Sequence, residues 1–480
     1  MKSAQMLPHS FFDRLSRPFA FFAGVLFLSF GASVFAEPLA LHPENPHYFL
    51  WRGKPAVLVG SGEHYGAVLN LDFDCAKYLD ALAAGGMNVT RTFTGAYVEP
   101  QGAFKIERNT LAPAPGRLIC PWARSAEAGY VNGGNKFDLT KWDDAFFTRL
   151  RDFVAQAEKR GVIVEMNLFT PMYEQMQWDY SPMNARNNVN GIGTAGKHEV
   201  YTLDKEPALL ALQIEMTRKI VTELNGFDSL YFEVMNEPYF GGVTQAWHDR
   251  IAETIVETEK PLAKKHLISW NVANGAKQAG KPHPAISILN FHYANPPDAA
   301  AQNYALNLPV GENETGFKGT GDEHYRMEAW EFILAGGALF NHLDYSFCAG
   351  NEDGTFPIKD PTPGGGGPAL RKSFRFLRTF LERFDLPKMK PAPTLIRKGA
   401  PEHWRALGDG ATRFAVYAKG AAPAEIVFAL PEGRWRQRWF DVSTGAVLLE
   451  DTVLAKDGAA ILKLPECCAE VALDLALERP

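Results

Sequence analysis

Between about Ala56 and Phe384, short apolar runs alternate with helical patterns, and this alternation limits the possible folds more than any other feature of the chain. The third unit shows the grammar. Phe146, Leu150, Phe153 and Ala157 recur at helical spacing, Gly161 stands where such a helix would stop, and VIVEMNLF (162–169) follows as a strand. The unit before it repeats the pattern, with Tyr78, Leu79 and Leu82 on a helix, Gly85-Gly86 as the stop and NVTRTF (88–93) as the strand. The same reading places strands at 56–60, 88–93, 162–169, 229–236, 266–271, 286–293, 308–313 and 337–345. Helices are predicted over 207–223, 247–259 and 325–335. Eight strands alternating with helices predict an α/β fold, a closed (β/α)8 TIM barrel over residues 37–388. An open doubly wound sheet is disfavoured, since no Gly-rich phosphate loop follows the first strand.

Two stretches, 96–138 and 170–205, are too long for ordinary connections. Both follow strand C-terminal ends, the face on which barrel active sites are built. Their aromatic residues, Tyr97, Trp122, Tyr130, Tyr173, Trp178 and Tyr180, are expected to wall a substrate cleft, with Trp178 as a substrate-binding candidate. The pattern changes after PTPGGGGPAL (361–370) and one more helix. Beyond Pro391, short alternating runs such as TRFAVYAKG and WRQRWFDV predict a small all-β sandwich over 391–480. With 480 residues, 46% of them hydrophobic, the chain is long enough for both parts.

The first 36 residues read as a cleavable secretory signal. Lys2, Arg14 and Arg17 give a basic start, Phe19 to Phe30 form an apolar run too short to span a bilayer, and Val34-Phe35-Ala36 suits cleavage. A secreted or periplasmic location is expected, with no membrane span after cleavage. Removing the segment takes the net charge from −6 to −8, which argues against nucleic acid as a partner. Five cysteines form no zinc-type spacing, so neither a metal nor a cofactor is predicted. The sequence leaves the oligomeric state open.

The most specific segment is YFEVMNEPYF, Tyr231 to Phe240. In a strand that alternates faces, Glu233, Met235 and Glu237 point one way and Asn236 the other. Pro238 ends the ladder, so Glu237 is mounted at a strand end. Apolar neighbours there are expected to raise its pKa into the acid/base range.

FEVMNEP (232–238) resembles the fourth-strand signature of clan A glycoside hydrolases, particularly the cellulase-like family 5. The resemblance implies a carbohydrate substrate, Glu237 as acid/base and Asn236 on the sugar 2-hydroxyl. It implies an Arg beside the nucleophile, for which Arg91 in NVTRTF stands at the expected place. A fixed cation there keeps a nucleophilic carboxylate ionised. The nucleophile itself is expected at the end of strand seven, where LPVGENETGF offers Glu314 and, as the alternative, Glu312. Glu314-Thr315-Gly316 matches the family pattern and lies nearer the strand end. At strand six the family places a tyrosine on the nucleophile, which Tyr293 supplies, with His292 directly before it rather than two positions earlier. Strand eight lacks the usual Trp and offers Phe340 and Tyr345, a departure that argues against cellulose-type specificity.

Two carboxyls in these roles imply double displacement with retention of configuration. Two rivals remain. A metal-dependent barrel hydrolase would use His64, His292 and His342, all near strand ends. A non-catalytic carbohydrate-binding barrel would use the aromatic walls alone.

Overall fold

Eight parallel strands form the centre of the fold: β1 (Leu58–Gly62), β2 (Val89–Phe93), β3 (Ile163–Phe169), β4 (Leu230–Met235), β5 (Ile268–Asn274), β6 (Ile288–His292), β7 (Val310–Glu314) and β8 (Leu339–Leu343). The computed structural model describes residues 37–421, 425–465 and 469–478; the segment read as a secretory signal, Cys467 and Cys468 lie outside them. Hydrogen-bonded neighbours run β1-β8-β7-β6-β5-β4-β3-β2. The last seam of this nearly closed barrel is stitched by a residue rather than a ladder. Asn88 donates its N–H to the Val59 carbonyl (3.1 Å) and accepts the Val59 N–H on its side-chain oxygen (2.7 Å). Gly60 permits that approach, because a Cβ there would lie 2.7 Å from the Val89 carbonyl oxygen.

All eight predicted strands are present, with ends displaced by no more than three residues. They read clearly because strands buried on both faces become near-continuous apolar runs. Helix α1 (Cys75–Ala84) is capped by Asp74 and α2 (Asp144–Lys159) by Asp143. The apolar stripe Phe146, Leu150, Phe153 and Ala157 is buried, as its spacing predicts. Helices α3 (Pro207–Leu224) and α4 (Gln245–Glu259) follow β3 and β4. The fifth unit departs from the pattern: residues 275–287 cross from β5 to β6 without a helix. Gly275, Gly280, Pro282 and Pro284 explain this, since both residue types are poor helix formers. A short α5 (Asp298–Asn303), then α6 (Asp322–Leu334) and α7 (Pro368–Leu381), complete the layer.

Among the described residues no helix is long and apolar enough to cross a membrane. The two long insertions hold an antiparallel ribbon, Trp122–Ala128 with Asn135–Trp142, and a short helix, Gln175–Tyr180. They are tied together from within. The Arg124 guanidinium lies over the rings of Phe137 (3.9 Å) and Tyr130 (4.6 Å), and the Tyr130 hydroxyl donates to the Tyr180 carbonyl (2.8 Å).

The C-terminal part comprises a six-stranded and a three-stranded antiparallel sheet, packed as a sandwich around Phe414, Trp435, Trp439 and Phe428. The outer face of the larger sheet rests on α6 and α7. Trp330 stacks on Tyr417 (5.7 Å), Phe376 packs against Phe440 (5.6 Å), and Arg326 forms a fork with Glu470 (2.8 and 2.9 Å). Each large ring buried in this way contributes roughly 1.5–3 kcal/mol.

Candidate active site

At the C-terminal end of β4 the chain leaves the barrel abruptly. The Asn236 N–H still donates to the Phe169 carbonyl (2.9 Å), as a strand residue would. Glu237 then adopts φ +43°, and its N–H donates to the Asn271 side-chain oxygen (2.8 Å). This turn carries the Glu237 carboxyl over the mouth of the barrel. Its Oε2 accepts from the Tyr173 hydroxyl (2.5 Å), and Oε1 accepts from Tyr239 (3.2 Å) and faces Nδ1 of His292 (3.1 Å). Burial pushes this carboxyl up, but the hydrogen bond and charge of His292, with donors from Tyr173 and Tyr239, outweigh burial and hold it below its usual value. The sequence-based expectation of a raised pKa is therefore corrected: the neighbours of Glu237 are hydrogen-bond donors rather than bare apolar groups.

Glu314 ends β7 across the same mouth. Its Oε1 accepts from the Tyr293 hydroxyl (2.5 Å), while Oε2 accepts from the Tyr65 hydroxyl (2.9 Å) and Nη1 of Arg91 (3.3 Å). Burial, then the Glu314 charge, keep both phenols protonated and therefore donors. Arg91 is almost wholly buried and serves three carboxyls. Besides Glu314, its Nε donates to Glu165 (2.8 Å) and Nη2 to Glu233. Beneath the site, Asn313 donates to both Glu165 (2.7 Å) and Glu233 (2.8 Å). Burial and the neighbouring Glu233 raise Glu165 to about 8, whereas Arg91 overcomes burial and keeps Glu233 low. One proton therefore serves the pair at neutral pH.

The void above these groups is about 410 Å³ including its open mouth, and is lined mainly by rings: Tyr65, Phe93, Tyr97, Phe104, Tyr173, Tyr293 and Phe317. Its backbone is unusual. Nine described non-glycine residues have positive φ, and five of them line this void: Tyr65 (60°), Phe104 (53°), Glu237 (43°), Tyr293 (51°) and Phe317 (60°). Such conformations cost about 1–3 kcal/mol each and persist where surroundings impose them, typically at functional sites. The pocket also holds a buried acceptor without a protein partner, the Asn236 side-chain oxygen, while the Asn236 amide donates to Tyr173 (2.7 Å).

The candidates read from sequence separate into three groups. Glu237, Glu314, Asn236, Arg91, Tyr293 and His292 converge; one donor atom each from Glu237, His292 and Glu314 lie within 4.8 Å of one another. Tyr345 stands behind the wall, its ring 5.9 Å from His64. Trp178 does not reach the pocket: its buried ring packs down the second insertion and Nε1 donates to the Ala195 carbonyl (3.0 Å). Trp122, Tyr130 and Tyr180 likewise belong to the insertions and do not line the pocket, leaving Tyr97 and Tyr173 as wall residues.

Glu312 faces elsewhere, accepting the Ala294 N–H (2.5 Å). Burial and neighbouring Glu328 push its carboxyl far up. The regular strand that would have put Glu312 and Glu314 on one face is interrupted, since the β6–β7 register shifts between Phe291 and His292. The three histidines of the metal reading do not converge either. His342 bonds Thr315 (2.9 Å) and the Gly365 carbonyl (3.3 Å), and His64 faces Glu99.

Sequence reasoning missed Tyr65, Glu99, Phe104 and Phe317, which lie in connections without periodicity. It also passed over Glu165 and Glu233, for which a signal existed. Each is an isolated acid inside an apolar strand run, where an unpaired charge would be costly.

No protein-family model and no curated protein matches the sequence. Solved structures do match the fold. A Bacteroides vulgatus ATCC 8482 protein assigned to the glycoside hydrolases aligns with a TM-score of 0.67 at 16% identity, over 92% of this chain and 83% of its own. A glycoside hydrolase family 5 structure from the same organism gives 0.61 at 12% identity, over 92% and 93%. A third structure, named a glycoside hydrolase, gives 0.60 at 13% identity, over 92% and 97%. The chain thus has the fold of glycoside hydrolases that include a family 5 member, a (β/α)8 barrel followed by antiparallel sheets. At 12–16% identity the likeness is one of fold.

Proposed function

We propose that the protein is a retaining hydrolase of β-glycosides, with Glu237 as acid/base and Glu314 as nucleophile. The observation that carries this reading is the pairing of two carboxyls, one oxygen of each within 4.8 Å of the other, across one ring-lined pocket. Double displacement needs carboxyls ~5–5.5 Å apart, whereas inversion leaves ~6.5–9.5 Å for a water. The surroundings differentiate the two groups. Arg91 and two phenols stabilise a carboxylate at Glu314, which suits attack on the anomeric carbon. Glu237, reached by a proton through His292 or Tyr173, protonates the leaving oxygen and then activates the water that resolves the glycosyl-enzyme. The unpartnered Asn236 oxygen is an acceptor ready for a sugar hydroxyl beside the reacting carbon. The basic, apolar leader supports export to a secreted or periplasmic location.

A screen of chromogenic β-glycosides and polysaccharides tests this, with Glu237→Gln and Glu314→Gln expected to lose ~10³-fold or more in kcat. NMR of the first product tests retention; an inverted anomer overturns the double displacement. The same donor set, Glu237, His292 and Glu314, also has spacing that a metal ion could use, which favours metal-dependent hydrolysis as the second reading. Against it, Tyr65, Tyr173 and Tyr293 already donate to these oxygens and a cation would have to displace them. Activity abolished by a chelator and restored by a divalent metal would transfer the assignment.

A further inference from the structure

We infer that the pocket receives a single sugar from the non-reducing end of its substrate, and that His64 and Glu99 read the hydroxyls farthest from the scissile bond. The inference rests on the glycosidase reading above and adds to it the mode of attack and the residues that set it.

His64 lies two residues beyond β1, is 92% buried and lines the pocket. Its Nε2 is 3.4 Å from Oε1 of Glu99, another pocket residue, contributed by the insertion after β2. Glu99 is held by two further donors, the Tyr97 hydroxyl (3.0 Å) and the Asn109 amide. The other ring nitrogen of His64, Nδ1, is buried and has no partner in the protein. A buried polar atom left unpaired forfeits its hydrogen bond to water, a loss that a ligand hydroxyl would relieve. Burial alone would lower the His64 pKa, but Glu99 reverses the effect and raises it. The imidazole is thereby favoured as a donor beside a carboxylate acceptor, a combination suited to two neighbouring hydroxyls.

Position supplies the rest. A proton donor must stand beside the glycosidic oxygen, so the leaving group lies on the Glu237 side, at β4. The far carbons of the bound ring then point towards β1 and β2, three strands round the barrel. That side is a closed wall of His64, Tyr97, Glu99 and Leu111, all buried, with Tyr345 packed behind His64. A glycan continuing past the bound sugar would have to pass through them. Two residues that line the pocket, Asn236 beside Glu237 and His64 on this wall, each keep a buried polar atom without a protein partner, and they stand at the two ends assigned to one ring.

The test uses the full chain and β-1,4- and β-1,3-linked gluco-, manno- and xylotetraoses labelled at the reducing end. Stepwise loss of single sugars from the unlabelled end is expected; internal fragments at the earliest times overturn the inference. On 4-nitrophenyl β-glycosides, His64→Gln and Glu99→Gln should each lose about 10-fold or more in kcat/KM, chiefly through KM. A substrate lacking the 3- or 4-hydroxyl should lose as much with the wild type and little more with His64→Gln, because the same contact is removed twice. Losses that instead add, in variants of unchanged thermal stability, overturn the assigned contact. Internal cleavage that still depends on Glu237 and Glu314 leaves the glycosidase reading standing and removes this one, whereas a panel with no cleavage removes both.

Discussion

Nδ1 of His292 lies 3.1 Å from Oε1 of Glu237, although the two residues come from strands β6 and β4 and each is surrounded by protein. This contact decides which influence governs Glu237, because burial pushes its carboxyl up and His292 pulls it down. In the proposed mechanism cleavage begins with Glu237 protonated, so the high-pH limb of kcat/KM is expected to follow the pKa of this group in the free enzyme. His292→Gln keeps a donor and removes the imidazole's electrostatic pull on the carboxyl. Burial then dominates and the limb should move to higher pH. A pH profile of kcat/KM for the variant checks this, and an unmoved limb would mean that His292 does not set the proton affinity of Glu237.

Glu312 and Glu314, two positions apart, should respond to the same change in opposite ways. Glu312 is buried, bonded to the Ala294 N–H and pushed far up by burial and Glu328, so it is a neutral acid that glutamine imitates closely. Glu312→Gln should keep activity within about threefold and stability within ~1 kcal/mol, because no charge is removed. Glu314→Gln should lose ~10³-fold or more. The opposite pattern would exchange their roles.

The barrel was legible because its strands are buried on both faces and its helices carry stripes ending in glycine, as Phe146 to Gly161 illustrates. Glu237 and Glu314 could be placed at one mouth because the resemblance set them at strand ends, where a barrel's chemistry collects, and it set Arg91 within the second strand, where it reaches Glu314. What escaped was geometry created where strands cease to be regular. Alternation predicts opposite faces for His292 and Tyr293, yet both reach the carboxyls, because β6 ends at His292 and Tyr293 takes φ +51°. The register shift in β7 separates Glu312 from Glu314 in the same way. Trp178 misled because an aromatic ring in a long insertion packs that insertion as readily as it meets a ligand.

Arg91 should prove structural as well as positioning. It is the cation shared by Glu165, Glu233 and Glu314 in a buried layer. Removing one partner of a buried ionic cluster costs about 3–5 kcal/mol, since the remaining charge loses compensation. Arg91→Met should lose stability on that scale in denaturant titration. Adding Glu233→Gln, which removes the stranded charge, should recover part of it. If the double variant is no more stable than the single one, Glu233 is not the stranded charge.

The buried carboxyls also set how stability varies with pH. Burial raises Glu63 and Glu328 to about 7 and Glu165 to about 8 from an ordinary 4.5, and pushes Glu312 well above that ordinary value. Above pH 4.5 the folded chain therefore holds protons that the unfolded chain has shed, and stability falls as pH rises through the folded values. His342 acts in the opposite sense. Burial pushes it down from 6.5 to about 4, so the unfolded chain takes up its proton first and stability falls as pH drops through that window. The carboxyls held low, Glu233 and Glu237, give up their contribution only in acid. Between pH 6.5 and 8 the raised carboxyls are thus unopposed by His342, and each still titrating costs roughly 1.4 kcal/mol per pH unit. Thermal unfolding should shift down by a few degrees from pH 6.5 to 8, and Glu165→Gln, which fixes the protonated form, should flatten the upper part of that decline. A midpoint that holds steady or rises across the interval would show that these carboxyls are ionised in the folded protein.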